Sequence, residues 1–139
     1  MARIIAIDYG LKRTGIAVTD PLQLIATALT TVETKGLQQF LQDYMAKEEV
    51  EKIVVGEPRQ MNNAPSQIEP AIKQFIAELR KKMTNAVIVR FDERFTSKMA
   101  SQSMIVAGYK KKDRRNKEMI DKISAAILLQ SYLDNKLPE

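Results

Sequence analysis

A mixed α/β sheet flanked by helices is predicted by three observations. Two β-rich runs joined by a short linker open the chain, later apolar runs alternate with segments of helical period, and a long helical stripe closes it. The order β-β-β-α-β-α-β-α-α implies an antiparallel meander on one side and parallel crossovers on the other, five strands in all.

The first strand is Arg3-Ile4-Ile5-Ala6-Ile7-Asp8-Tyr9-Gly10, rich in β-branched residues and ended by an acid and a glycine. Leu11 to Val18, punctuated by Gly15, is its hairpin partner. Ala26 to Glu33 alternates weakly and is rich in threonine, which suits a strand at or near an edge. Gly36 breaks it, and Leu37, Phe40, Leu41 and Tyr44 then recur at helical spacing to about Lys47. Lys52 to Gly56 is short and apolar, as a central buried strand should be. A loop from Glu57 to Pro65 follows, and Ser66 with Glu69 forms a capping-box pattern. Ile68, Ile72, Phe75, Ile76 and Leu79 stripe the next helix, which ends in Arg80-Lys81-Lys82, cations that favour a helix C-terminus. Ala86 to Phe91 is the fifth strand. Thr96 or Ser97 can cap a helix running to Gly108, and the last helix runs from about Glu118 to Asp134.

The 139 residues suit one domain, residues 1–139, without internal repeat or linker. Hydrophobic residues make up 45% and charged ones 28%, an ordinary globular balance. No apolar run approaches the roughly 20 residues of a membrane span, and the N-terminus enters a strand without a signal-like segment. A cytoplasmic protein without a membrane partner is expected.

Cysteine and histidine are both absent. That excludes disulfides, thiolate nucleophiles, Cys/His zinc sites and imidazole bases, so any catalysis must run on carboxylates, lysines, hydroxyls or a bound metal. Oxygen-rich donor sets suit hard cations such as Mg²⁺. The net charge of +5 is wholly local, because Lys110-Lys111-Lys112-Asp113-Arg114-Arg115-Asn116-Lys117 holds six bases and one acid, and sixteen of each remain elsewhere. Such a block is the electrostatic footprint expected for a phosphate backbone, although a solvated loop would look the same.

Four acidic positions stand where side chains could meet. Asp8 ends strand one, Glu57 follows strand four, Asp92 and Glu93 end strand five, and Asp121 lies in the first turn of the last helix. If strands four and five run parallel to strand one, the first three share the sheet edge at which open α/β sheets bind ligands. Only one of Asp92 and Glu93 should reach the site, since neighbouring strand residues face opposite ways. Asp121 heads the stripe Ala125, Leu128 and Tyr132, with small Ser124 and Ala125 allowing close approach to the sheet. Several such carboxylates can hold one or two Mg²⁺ or Mn²⁺ ions for phosphodiester hydrolysis, with the basic block recruiting the polyanion.

These motifs resemble the bacterial YqgF/RuvX family of the ribonuclease H-like superfamily, to which the resolvase RuvC is related. The resemblance is carried by Ala6-Ile7-Asp8-Tyr9-Gly10 with Gly15-Ile16-Ala17-Val18, by Ile53-Val54-Val55-Gly56-Glu57-Pro58 with Met61-Asn62, by Asp92-Glu93-Arg94-Phe95-Thr96-Ser97, and by the basic loop with Ile120 to Leu133. It implies a ribonuclease H-like fold, a sheet of order 3-2-1-4-5, and a nuclease for the 5′ end of pre-16S rRNA in ribosome biogenesis. The alternative it implies is a Holliday-junction resolvase cutting branched DNA. By position, Asp8, Glu93 (preferred to Asp92) and Asp121 become the metal ligands and catalytic residues, with Arg94 orienting carboxylates or contacting phosphate. Lys110, Lys111, Lys112, Arg114, Arg115 and Lys117 become the nucleic-acid contacts. Glu57 departs from the family pattern, which often has an apolar residue there, and is either a fourth ligand or a solvent-exposed acid. Ribosomal precursor particles are candidate partners, and the protein itself is expected as a monomer or a homodimer. Two rival classes are a nucleotide-binding module, because Asp8-Tyr9-Gly10 with Gly15 also resembles the phosphate loop of actin-like folds, and a non-enzymatic nucleic-acid-binding protein.

Overall fold

The computed structural model describes residues 2–57, 67–82, 86–92 and 117–134, the side chains of residues 117–122 excepted. The strands are β1 (Arg3–Asp8), β2 (Arg13–Thr19), β3 (Ala26–Glu33), β4 (Val50–Glu57) and β5 (Val87–Asp92). The helices are α1 (Leu37–Lys47), α2 (Glu69–Lys82) and α3 (Lys117–Asp134), and a single 3-10 turn spans Thr34–Gly36. The sheet order is β3-β2-β1-β4-β5, the order implied by the resemblance. β1 is antiparallel to β2 and parallel to β4, and β4 is parallel to β5. The helix expected over residues 96–108 lies outside the described residues.

Alternation along the strands makes two apolar layers. Ile5 and Ile7 of β1, Ile16 and Val18 of β2, and Ile53 and Val55 of β4 pack against Leu37 and Leu41 of α1 and against Ile72, Phe75, Ile76 and Leu79 of α2. Their neighbours Ile4, Ala6, Ala17 and Val54 point the other way and meet Ala125, Leu128 and Leu129 of α3. A strand covered on both faces needs an unbroken apolar run, which is why Ile4 to Ile7 are fully buried. The α3 layer is thin because Ala6, Ala17, Ser124 and Ala125 are small and buried, so the helix can lie close to the sheet. Tyr132 completes the expected stripe, its ring edge-on to Phe91 at 6.2 Å. No helix among the described residues is long and apolar enough to cross a membrane.

β3 lies at the sheet edge, as its threonine content predicts. The turn before it is pinned by Asp20, whose carboxylate accepts from the backbone N–H groups of Ile25 (2.8 Å), Leu24 (2.9 Å) and Leu22 (3.1 Å). Gln23 sits there at φ 59, a left-handed conformation costing a non-glycine residue about 1–2 kcal/mol. Its side chain offsets this by donating to the carbonyl of Ala2 at 2.8 Å and to Glu51.

The backbone hydrogen bond from Ile25, then those from Leu24 and Leu22, hold the Asp20 carboxyl below its ordinary 3.8. A depressed folded value means that this contribution to stability is present above the ordinary value and is lost as pH falls through the folded one. Thermal melts should therefore show Asp20→Asn less stable than wild type at pH 7, with the gap closing below about pH 4. A gap independent of pH would contradict this role.

One local expectation changes. The capping-box pattern places Glu69 at the third position of a helix, but α2 begins at Glu69 itself, after a turn at residues 67 and 68. Both its carboxylate oxygens accept from the Arg90 guanidinium, at 2.7 and 3.0 Å, and the side chain is only 8% exposed. Ser66 lies outside the described residues.

Candidate active site

The parallel arrangement of β1, β4 and β5 brings their C-terminal ends to one sheet edge. Asp8 pairs with Gly15 across the hairpin, and Glu57 pairs with Asp92 across the parallel ladder. Three of the predicted acids thus share that edge, but not one face. Asp8 alternates with Ile4 and Ala6 and so belongs to the face covered by α3. Glu57 alternates with Ile53 and Val55, and Asp92 with Ile88 and Arg90, on the face covered by α1 and α2.

Asp8 is therefore separated by the sheet from Glu57 and Asp92. Its cross-strand partner is a glycine, so the residue opposite it on β2 contributes no side chain. Asp121 lies on α3 one turn before buried Ala125, which packs against Ala6 and its neighbours on the Asp8 face. The side chain of Asp121, and all of Glu93, Arg94 and residues 110–116, lie outside the described residues, as does the side chain of Lys117. Among the described residues no three acids stand together as a metal site. The donor types are nonetheless those a hard divalent cation takes, carboxylate oxygens without imidazole or thiolate.

Tyr9, next to Asp8, points to the opposite face. Its ring packs on Phe75 with centroids 5.3 Å apart. Burial, followed by the charge of Glu78, pushes its phenol above its ordinary range, so it is neutral at physiological pH and no general base.

The turn after Asp8 is built by three polar groups. Thr34 donates its hydroxyl proton to the carbonyl of Gly10 at 2.5 Å. That proton being committed, Thr14 must donate in the 2.8 Å hydroxyl pair with Thr34, and Thr14 in turn accepts from the Gly10 N–H at 3.5 Å. The ring closes with every donor used, and Thr14 is fully buried. A Cβ at Gly10 would lie 2.2 Å from the carbonyl oxygen of Arg13, a backbone atom that cannot swing aside. Gly10→Ala should cost about 1–3 kcal/mol through forced backbone movement. Differential scanning fluorimetry should register a fall of several degrees, and an unchanged melting temperature would refute the tight turn.

Sequence reasoning did not find the Glu69–Arg90 pair or the threonine ring. A signal existed for the first, since Arg90 interrupts an otherwise apolar strand. Thr14 and Thr34, twenty residues apart, carried none.

The family model RuvX, described as Holliday junction resolvase, matches residues 2–135. The chain belongs to the RuvX family. A Flavobacterium psychrophilum relative is 53% identical over 99% of this chain and 100% of its own length, and one from Christiangramia forsetii is 56% identical over 96% and 98%. A third, from Phocaeicola vulgatus, is 55% identical over 98% of each chain. All three bear the name "Putative pre-16S rRNA nuclease". Among solved structures, T. thermophilus RuvC in complex with Holliday junction substrate matches with a TM-score of 0.59 at 14% identity, covering the whole of both chains. That likeness shows the shared fold of a RuvX protein and of RuvC, a ribonuclease H-like sheet.

Proposed function

We propose that this RuvX protein is a divalent-metal-dependent nuclease that hydrolyses phosphodiester bonds in structured nucleic acid, its substrate being the 5′ end of pre-16S rRNA. The observation that carries the reading is Asp8, fixed at the C-terminal end of the central strand, opposite a glycine, on the face covered by α3, the helix in whose sequence Asp121 lies. The names of relatives above 50% identity over nearly the whole chain support the substrate. The family match over residues 2–135 supports reading residues 1–139 as a single nuclease domain, and a pre-16S rRNA substrate would be met in the cytoplasm, on ribosomal precursor particles.

Asp8, Glu93 and Asp121 are the residues that would hold Mg²⁺ or Mn²⁺. Alternation favours Glu93 over its neighbour, because Asp92 falls on the α1/α2 face and an extended chain would turn the next residue toward Asp8. Glu57, on the face away from Asp8, takes a supporting role at most. A bound divalent ion would supply an activated water and neutralise charge on the leaving oxygen. Lys110, Lys111, Lys112, Arg114, Arg115 and Lys117 draw in the polyanion, and Arg94 orients a carboxylate or holds a phosphate oxygen.

Labelled pre-16S rRNA and a four-way DNA junction, each incubated with Mn²⁺ or with EDTA, test the reading. Metal-dependent cutting of the RNA is expected, and cutting of neither substrate would refute it. The junction arm serves the second reading, a resolvase, which the family's description favours. A resolvase making paired cuts would work as a symmetric dimer, so sizing the active species separates the two. Neutralising Lys110, Lys111, Lys112, Arg114 and Arg115 together should weaken RNA binding and flatten its salt dependence by about 0.7 per lost phosphate contact. Unchanged affinity would make the block a mere solvated loop.

A further inference from the structure

We propose that the β1–β2 turn is a second phosphate-binding site, in which Lys12, Arg13 and Lys35 hold the sugar-phosphate backbone of a nucleic-acid strand beside Asp8. Leu11, Lys12, Arg13, Glu33 and Lys35 line a depression of about 470 Å³. Three cations face one acid there. The chain outside residues 110–117 is balanced in charge, so composition gives no hint of this cluster, and only folding makes it.

The cluster is assembled by the contacts that fix the turn. The N–H of Thr34 donates to the carbonyl of Lys12 at 3.0 Å, and the hydroxyl ring ties Thr34 to Gly10 and Thr14. Lys35 is thereby held next to Lys12 and Arg13, from which more than twenty residues of chain separate it. A turn fixed in this way loses little freedom on binding, which favours a binding role for its side chains. Lys35 also pairs with Glu33 at 3.3 Å, but their side chains are 86% and 70% exposed, so the pair is weak and a phosphate can displace it.

The position suits a strand whose scissile bond lies at Asp8. Arg13 alternates with Gly15 and Ala17, which puts it on the Asp8 face, diagonally across the hairpin at about 7–8 Å between Cα atoms. Lys12 is four residues from Asp8 and so within about 14 Å. Leu11 at the tip is 72% exposed and offers an apolar contact to a ribose or base between the cations. The site would grip the strand one or two nucleotides from the cut, on the opposite side of Asp8 from β4.

The proposal rests on the nuclease reading for the fate of the strand, but not for its binding, which can be measured without cleavage. Fluorescence anisotropy of a labelled RNA hairpin with a 5′ single-stranded extension, in EDTA across a salt series, is the test. Lys12→Gln/Lys35→Gln should bind about 5–10-fold more weakly, with the salt slope reduced by about 1 to 2. Glu33→Gln should tighten binding, a gain that no loss of fold could mimic. Lys47→Gln, at the C-terminus of α1 and the far edge of the sheet, should change neither quantity. Wild-type affinity and slope in the double variant would overturn the site, and so would an equal loss in Lys47→Gln. If wild type fails to cleave, the nuclease reading falls while this binding comparison still stands.

Discussion

Asp8→Asn is expected to lose cleavage by about 100-fold to 1,000-fold while keeping the fold. The exchange is nearly isosteric, and the strand around it is held on both sides, antiparallel to β2 and parallel to β4. What changes is one charge at a site whose proposed work is to bind a divalent cation. Carboxylate ligation and charge neutralisation supply several kcal/mol to the transition state, and each 1.36 kcal/mol is tenfold in rate, so a loss of about 3–4 kcal/mol gives this range. A second readout is independent of turnover. Mn²⁺ at about 100 times its dissociation constant should stabilise wild type by about 2.7 kcal/mol, a gain the variant should lack at the same concentration. Wild-type cleavage by the variant, or an equal Mn²⁺-induced rise in its melting temperature, would remove Asp8 from the metal site.

The largest stability effect is expected at Arg90. Its guanidinium donates twice to Glu69, and also to the carbonyls of Gly56 at 3.1 Å and Val55 at 3.4 Å. It thus joins the start of α2 to the last residues of β4, at the sheet edge that carries Asp8. Arg90→Ala would leave the Glu69 carboxylate buried without its partner, along with two strand-end carbonyls. Breaking a buried pair costs about 3–5 kcal/mol, and because the Arg90 side chain is 21% exposed the lower end applies. For a domain of this size that is a fall of about 10 °C in melting temperature. Glu69→Ala should cost a similar amount. The double variant should cost less than the two together, since neither charge is then stranded. Strict additivity would show that the two residues do not act as a pair.

Much of the fold was readable because its signals are local. The unbroken apolar run Ile4 to Ile7 marks a strand covered on both faces, and the spacing of Ala125, Leu128 and Tyr132 marks the buried stripe of α3. The acid at the end of β1 was equally plain. Boundaries drifted where pairing, not propensity, sets them. β2 begins at Arg13 rather than Leu11, because residues 9 to 12 are used by the turn, and β4 extends to Glu57 because it still pairs with Asp92. The Ser66 and Glu69 pattern was a correct sign of a helix start. It could not reveal that Glu69 answers a cation 21 residues away.

By itself the sequence determined the element order among the described residues, the two-sided burial of the central strands, a chemistry without histidine or cysteine, and Asp8 as the acid at the strand end. It also showed that one of Asp92 and Glu93 at most shares a face with Asp8, since alternation needs only neighbours. That Asp92 is not that residue was decided by tertiary structure, for a face has no identity until a helix covers it. α3 covers the face of Ala6 and Asp8, and α2 covers that of Arg90 and Asp92. The same holds for Lys12, Arg13 and Lys35, and for the ring of Gly10, Thr14 and Thr34. Propensity and period act over a few residues, whereas convergence of distant side chains depends on strand register and helix docking, which only the folded chain fixes.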